Sequence, residues 1–207
     1  MKDKAFLHRM QLLGKVGNWT DMGPGHVRGY PGLVHTAKLI AEYIPECGTF
    51  VEVFAGLGRV SPHVRAKTKV LNDMSDYAYN HNKKFPYTIT KEQFLDCANR
   101  WDGPNVIEFY DPPWDKTEYQ EGCRNRAFCD RTPKDYYDAI FELIPTLKCD
   151  WFVCGRKDNT RLKDPKYHHK LFESKVKIMG GNIKTLVMSN KPFTRYHQSQ
   201  LFGEQDR

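Results

Sequence analysis

No apolar run in the 207-residue chain approaches the roughly 18 consecutive residues that a membrane-spanning helix needs. Its opening residues, Met1-Lys2-Asp3-Lys4-Ala5-Phe6, lack the apolar core of a signal peptide, so a soluble, intracellular, cytoplasmic protein is expected. C-x-x-C pairs are missing too. Cys47, Cys97, Cys123, Cys129, Cys149 and Cys154 stand at spacings outside the zinc-knuckle pattern, so the six cysteines read as reduced thiols with no metal assigned. His168-His169 reads as a solvated pair. No internal repeat, low-complexity stretch or Gly/Pro-rich linker divides the chain, which makes one domain over residues 1–207 the simplest account. With 40% hydrophobic and 13% aromatic residues against 28% charged, the chain can bury a core and is not a disordered segment.

Acidic residues are scarce in one place only. Residues 1–155 carry 20 basic and 20 acidic side chains, whereas residues 156–207 carry 12 basic and 5 acidic, so the last quarter supplies the whole net charge of +7. A localised basic excess suits a polyanionic partner, because Lys and Arg that meet phosphates release condensed counterions.

Residues 17–32 form a turn-rich loop with Gly17, Gly23, Pro24, Gly25, Gly29, Pro31 and Gly32, after which Leu33, Ala37, Ile40, Ala41 and Ile44 recur at helical spacing. Residues 49–54 predict a buried strand that stops at Ala55-Gly56-Leu57-Gly58. Further strands are predicted at 70–72, 87–89, 105–110 and 151–154, with helices over 75–84 and from Thr132-Pro133 onward, where Tyr136, Ile140, Phe141 and Ile144 share a face. Residues 176–179 and 184–188 predict a closing hairpin around Gly180-Gly181. Strands alternating with helices before a late hairpin indicate a three-layer, Rossmann-like α/β fold with a mostly parallel sheet and a C-terminal antiparallel hairpin.

In open α/β sheets ligands bind outside the carboxyl ends of the strands, and three such ends here carry chemistry. After the first, the glycines let the backbone approach a ligand closely, and Glu52 offers a carboxylate to an ammonium or hydroxyl group. After the second, Asn72-Asp73 places a carboxylate that could accept both hydroxyls of a ribose. After the fourth comes Asp111-Pro112-Pro113-Trp114. An exocyclic amino nitrogen on a base is a poor nucleophile because its lone pair is delocalised into the ring. Its methylation needs fixed acceptors for the amino hydrogens, which Asp111 and the Pro112 carbonyl provide, while the prolines stiffen the loop and Trp114 offers a flat face to the base.

Phe54-Ala55-Gly56-Leu57-Gly58 followed by Asp111-Pro112-Pro113-Trp114 resembles the S-adenosylmethionine-dependent amino-methyltransferases of the DNA adenine methyltransferase (Dam-like) type. The order of the motifs also matches, through to Leu186-Val187-Met188-Ser189-Asn190, so the resemblance covers roughly residues 25–193. It implies a methyltransferase that binds S-adenosyl-L-methionine and methylates N6 of adenine in DNA. Glu52, Phe54, Ala55, Gly56 and Gly58 would surround the methionine part of the cofactor, with Tyr30 from Arg28-Gly29-Tyr30-Pro31-Gly32 beside it. Asp73 would hold the ribose, and Asp111, Pro112, Pro113 and Trp114 would receive the target base. RNA adenine-N6 and DNA cytosine-N4 transfer, or a catalytically silent nucleic-acid-binding subunit of the same fold, are the alternatives. Residues 60–110 are already needed for strands and helices, so no target-recognition domain fits between the two motifs. Contacts to nucleic acid then fall to Lys116, Arg124, Arg126 and Arg131 after the tetrapeptide and to the basic tail from Arg156 and Lys157 onward, with a protein partner as a further source of specificity.

Overall fold

The computed structural model describes residues 33, 36–112, 133–178 and 181–196. Two kinds of strand build its sheet. Cys47–Glu52 (β1) and Val106–Tyr110 (β4) are nearly continuous apolar runs, and they lie side by side and parallel in the middle, with Thr49 opposite Val106 and Glu52 opposite Phe109. A strand covered by helices on both faces needs no polar alternation. Ala66–Asn72 (β2) and Thr88–Thr90 (β3) extend the sheet parallel on one side, and Asp150–Arg156 (β5) extends it parallel on the other. His168–Ile178 (β6) and Gly181–Ser189 (β7) form the antiparallel hairpin, of which β7 pairs with β5. The sheet order among the described residues is therefore β3-β2-β1-β4-β5-β7-β6, the mostly parallel α/β arrangement with a reversed final strand that the sequence indicates.

One face of the sheet carries Val51, Val53, Tyr110, Trp151 and Val153 against Phe94–Trp101 (α3) and Pro133–Leu143 (α4). The other carries Phe50, Ile107, Phe109 and Phe152 against Ala37–Ala41 (α1) and the short turn Ser61–His63. Each such side chain, removed from water, contributes roughly 1.5–3 kcal/mol before entropy is counted. Asp76–Asn82 (α2) joins β2 to β3, capped by Ser75, whose hydroxyl accepts from the Ala78 N–H at 3.4 Å. The Thr36 and Thr185 hydroxyls meet at 3.1 Å and tie α1 to β7 in the interior.

Beyond an α1 shorter than the spacing from Leu33 to Ile44 predicts and a β2 that begins at Ala66, ahead of the expected 70, the elements differ from expectation in two larger ways. α3 is an added helix, and β6 begins at His168, well ahead of the hairpin predicted from residue 176. Thr132, the expected cap of α4, lies outside the described residues.

Candidate functional site

The chain leaves β1 toward β2 on one side of the sheet and leaves β4 toward β5 on the other, so the strand order reverses between these neighbours. A crevice must open where adjacent connections diverge, and this is where open sheets place their ligands. The loop beginning at Val53 and the loop beginning at Asp111 leave the sheet there side by side, still joined by the Val53 N–H donating to the Phe109 carbonyl at 2.9 Å.

The first loop is held almost atom by atom. The Ala55 N–H donates to the Asn72 carbonyl at 2.8 Å, and the Gly56 N–H donates to Asp73 Oδ2 at 2.8 Å. The Gly56 carbonyl accepts from Asn82 Nδ2 at 3.0 Å, and the Gly58 N–H closes a turn onto the Ala55 carbonyl at 2.7 Å. Gly56 and Gly58 have φ of 50° and 63°, in the left-handed region. A Cβ at Gly58 would also lie 2.9 Å from Leu71 Cδ1.

Asp73 is half-buried at the end of β2, and its Oδ1 accepts from the Ser75 N–H at 2.8 Å. Burial pushes its carboxyl up to about 6, against the pull of the two N–H bonds. Each oxygen of a carboxylate has further acceptor positions, so these bonds do not exhaust it. Its neighbour Asn72 is fully used. Its Nδ2 donates to the Val53 and Glu92 carbonyls at 3.1 and 3.0 Å, while its Oδ1 accepts from Thr90 Oγ1 and the Glu92 N–H at 2.9 Å each. Asn72 thereby locks the carboxyl ends of β1, β2 and β3 together.

Glu52, predicted beside the cofactor, is buried and turns toward the following backbone. Its carboxyl accepts from the Val60 and Ser61 N–H groups at 3.2 and 3.0 Å and from the Ser61 hydroxyl. Burial pushes it up to about 7, opposed by those three donors. Its visible work is to pin the far end of the loop that Gly56 and Gly58 turn.

Aromatic rings lie where the first loop meets the end of β4. Phe54 is half-buried, with ring centroids 5.1 Å from Phe94, 5.6 Å from Tyr136 and 6.4 Å from Tyr110. The Tyr110 hydroxyl donates to Glu108, two residues earlier on the same face of β4. Glu108 is fully buried, and burial pushes its carboxyl up to about 8; the Tyr110 bond opposes this, Asp102 adds to it, and the Cys149 thiol opposes it. Asp111 follows half-buried and Pro112 buried. On β5, burial and then the charges of Asp111 and Glu52 hold the Cys154 thiol well above its ordinary range.

Tyr136 is a residue that the sequence reading missed as part of the site. Its place on the apolar face of α4 marks it as core, yet its ring lies 5.6 Å from that of Phe54 in the glycine loop, and burial and then the charge of Asp73 raise its hydroxyl, so it stands beside the first loop. No sequence signal separates it from its core neighbours.

The structure thus brings Phe54, Ala55, Gly56, Gly58 and Asp73 together beside Asp111 and Pro112. Pro113, Trp114, Tyr30, Lys116, Arg124, Arg126 and Arg131 lie outside the described residues. Arg156 ends β5 at the same sheet edge, with Nε and Nη2 donating to Asp158 at 3.2 and 3.1 Å, and Lys157 beside it is exposed. Among the described residues no three His, Cys, Asp or Glu side chains gather as a metal site. No described helix is long and apolar enough to cross a membrane.

Comparison with solved structures finds many of similar architecture. A conserved hypothetical protein of Streptococcus pyogenes is 19% identical, with a TM-score of 0.47 over 77% of this chain and 96% of that one. An rRNA methylase of Streptococcus thermophilus is 12% identical, with a TM-score of 0.46 over 84% of this chain and 99% of that one. The precorrin 8w decarboxylase of Methanobacterium thermoautotrophicum is 10% identical, with a TM-score of 0.48 over 77% and 90%. Comparison with curated protein sequences finds no match. Residues 35–110, from the start of the first helix to the residue before Asp111, match the family model of the D12 class N6 adenine-specific DNA methyltransferases, and over this segment the resemblance carried by the glycine loop holds.

Proposed function

We propose that the protein is an S-adenosylmethionine-dependent methyltransferase that modifies N6 of adenine in DNA. The observation that carries this reading is the pairing of two unlike loops at the sheet's reversal point: a glycine turn bonded to Asp73, and the Asp111-Pro112 end of β4. The residues present fit the cofactor. Asp73 is half-buried with acceptor positions left for the ribose hydroxyls, and the Gly56–Gly58 turn brings backbone instead of side chain to the same edge.

When bound, S-adenosylmethionine supplies an electrophilic methyl group on a sulfonium. The chain's own residues then do the rest. Asp73 and the glycine loop fix the cofactor, and Phe54 covers it with an apolar ring. Asp111 and the Pro112 carbonyl accept the two amino hydrogens of the base, so the nitrogen lone pair turns toward the methyl group; as the N–C bond forms the S–C bond of the sulfonium would break to leave a thioether, and Asp111 steadies the positive charge on the nitrogen until its surplus proton is lost to solvent. Trp114 stacks on the base. In a duplex the target base leaves the stack to reach this crevice. The matched family favours adenine in DNA over its alternatives.

Labelled methyl transfer to duplex DNA, single-stranded DNA and RNA, with the product nucleosides identified, tests the proposal. N6-methyladenosine from RNA alone, or N4-methylcytosine, would replace it by one of its rivals. Cofactor binding without transfer to any of the three would leave a silent binding subunit.

A further inference from the structure

Most cations whose partners are resolved face carboxylates: Lys91 meets Asp76, Arg100 meets Glu92, Lys184 meets Glu173 and Lys191 meets Asp150, at 2.5 to 3.2 Å. Lys91 itself follows β3, but three other lysines around β2, α2 and β3 lie over rings, as Lys170 does over Tyr43 and Phe172 elsewhere. Lys69 Nζ sits 5.2 Å from the centre of the Tyr87 ring, Lys84 Nζ 5.2 Å from Phe85, and Lys83 Nζ 4.3 Å from Tyr79. Phe85 and Tyr87 are themselves stacked, 5.5 Å apart and 10° from parallel. A ring holds an ammonium group in place without cancelling its charge, whereas a carboxylate cancels it. These lysines are therefore positioned and still positive.

Their surroundings are positive as well. The exposed Arg59 and Lys67 make no ion pair among the described residues. His81 is pulled down by burial and then by Lys84 and Arg59, and His63 by burial and then by Lys38 and Lys69. Glu52, whose charge reaches Lys69, lies buried beneath and is occupied by Val60 and Ser61, and Asp76 at the start of α2 is paired with Lys91. The patch adjoins the glycine loop, since Phe85 comes within 3.3 Å of where a Gly58 Cβ would stand.

We propose that this ring-supported cation cluster at the β2–β3 edge is a backbone-binding surface for a polynucleotide, a second contact apart from the loop after Asp111 and the basic tail. That the polyanion is a polynucleotide rests on the function proposed above. Lys83 also donates to Asn80 Oδ1 at 3.2 Å, which leaves its charge uncancelled, and fixed ammonium groups without a carboxylate partner suit a repeating phosphate chain and read no sequence. A lipid surface fits less well, because the rings of the patch, Tyr79, Phe85 and Tyr87, are half-buried and already engaged with the lysines and each other, and none of them is among the exposed large apolar side chains of the described residues.

The test is equilibrium binding of the full chain to a fluorescent DNA oligonucleotide across a salt series, comparing wild type with Lys69→Gln/Lys83→Gln/Lys84→Gln. Thermal unfolding checks that the variant folds; the single variants Lys83→Gln and Lys84→Gln, at exposed positions, repeat the measurement if it does not. The triple variant is expected to bind about tenfold more weakly at moderate salt, with the slope of log K against log salt shallower by about 2–3, as loss of three phosphate contacts requires. Unchanged affinity and slope would overturn the proposal. So would unchanged DNA binding accompanied by lost binding to phosphatidylserine vesicles. Methyl-transfer assays on the same samples separate the two readings: a shallower slope without transfer activity sinks the enzymatic reading alone, and normal transfer with unaltered DNA binding sinks the surface alone.

Discussion

The loop after β1 and the loop after β4 leave the sheet as neighbours, but they are held by opposite means. The first is fixed by polar bonds: Gly56 to Asp73 and Asn82, Glu52 to Val60 and Ser61, Asn72 to three strand ends. The second follows Tyr110, the last residue of β4, whose ring joins a cluster with Phe54 of the first loop and with Phe94 and Tyr136 beyond it. Hydrogen bonds define where individual backbone atoms lie, which suits a loop that binds with its backbone. The ring of Tyr110 marks the end of β4, directly before Asp111, the residue proposed to carry the chemistry. Damage to the first loop should therefore appear as lost binding and stability, and damage at the tip of the second as lost turnover.

Asp111→Ala should give the largest effect: transfer reduced by about 10³-fold or more, with the cofactor dissociation constant changed less than about twofold. Single-turnover transfer and a cofactor titration measure the two separately, and equal loss of both would erase the distinction between the loops. Gly58→Ala comes next, since the new Cβ would meet Leu71 Cδ1 at 2.9 Å at a φ of 63°. It should cost about 2 kcal/mol in denaturant unfolding and weaken cofactor binding along with it. Asp73→Asn is smaller. An amide presents N–H to one of the two backbone donors it must accept from, so cofactor affinity should fall about tenfold while transfer from saturating cofactor stays close to wild type.

The sequence shows the glycine loop, Asp73 and the strand before Asp111 clearly, because strand ends followed by glycine or proline are local signals. α3 is hidden for a local reason too: Gln93 begins it without a side-chain cap bond, although Phe94, Cys97, Ala98 and Trp101 keep helical spacing. β6 is an edge strand in which His168, His169, Leu171 and Glu173 are exposed, so its first half carries no apolar alternation. Charge was the least legible property. The excess after residue 155 is partly spent in space, as Lys184, Lys191, Arg161 and Arg195 meet Glu173, Asp150, Asp138 and Glu42. The charge-balanced part of the chain meanwhile holds Lys69, Lys83 and Lys84 over rings. A count along the chain records neither arrangement.

The smallest effect sharpens the comparison from beneath the second loop. Glu108 is buried with its carboxyl raised to about 8, while in the unfolded chain it would titrate near its ordinary 4.5. Between those values the folded state keeps a proton that the unfolded state gives up, so stability is greatest below about 4.5 and is lost as pH rises toward 8. Glu52 and Asp73, raised to about 7 and about 6, act in the same direction over narrower windows. Glu108 alone remains in play between pH 7 and 8, where its share is at most about 1.4 kcal/mol per pH unit. Glu108→Gln keeps an acceptor for the Tyr110 hydroxyl but has no proton to lose. Melting temperatures from pH 5.5 to 8 should fall for the wild type and fall less for the variant, the two curves diverging steadily across the range and the divergence slowing as pH approaches 8. Parallel curves would mean that Glu108 reaches water or a cation when it ionises, and that the second loop rests on a polar base like its neighbour.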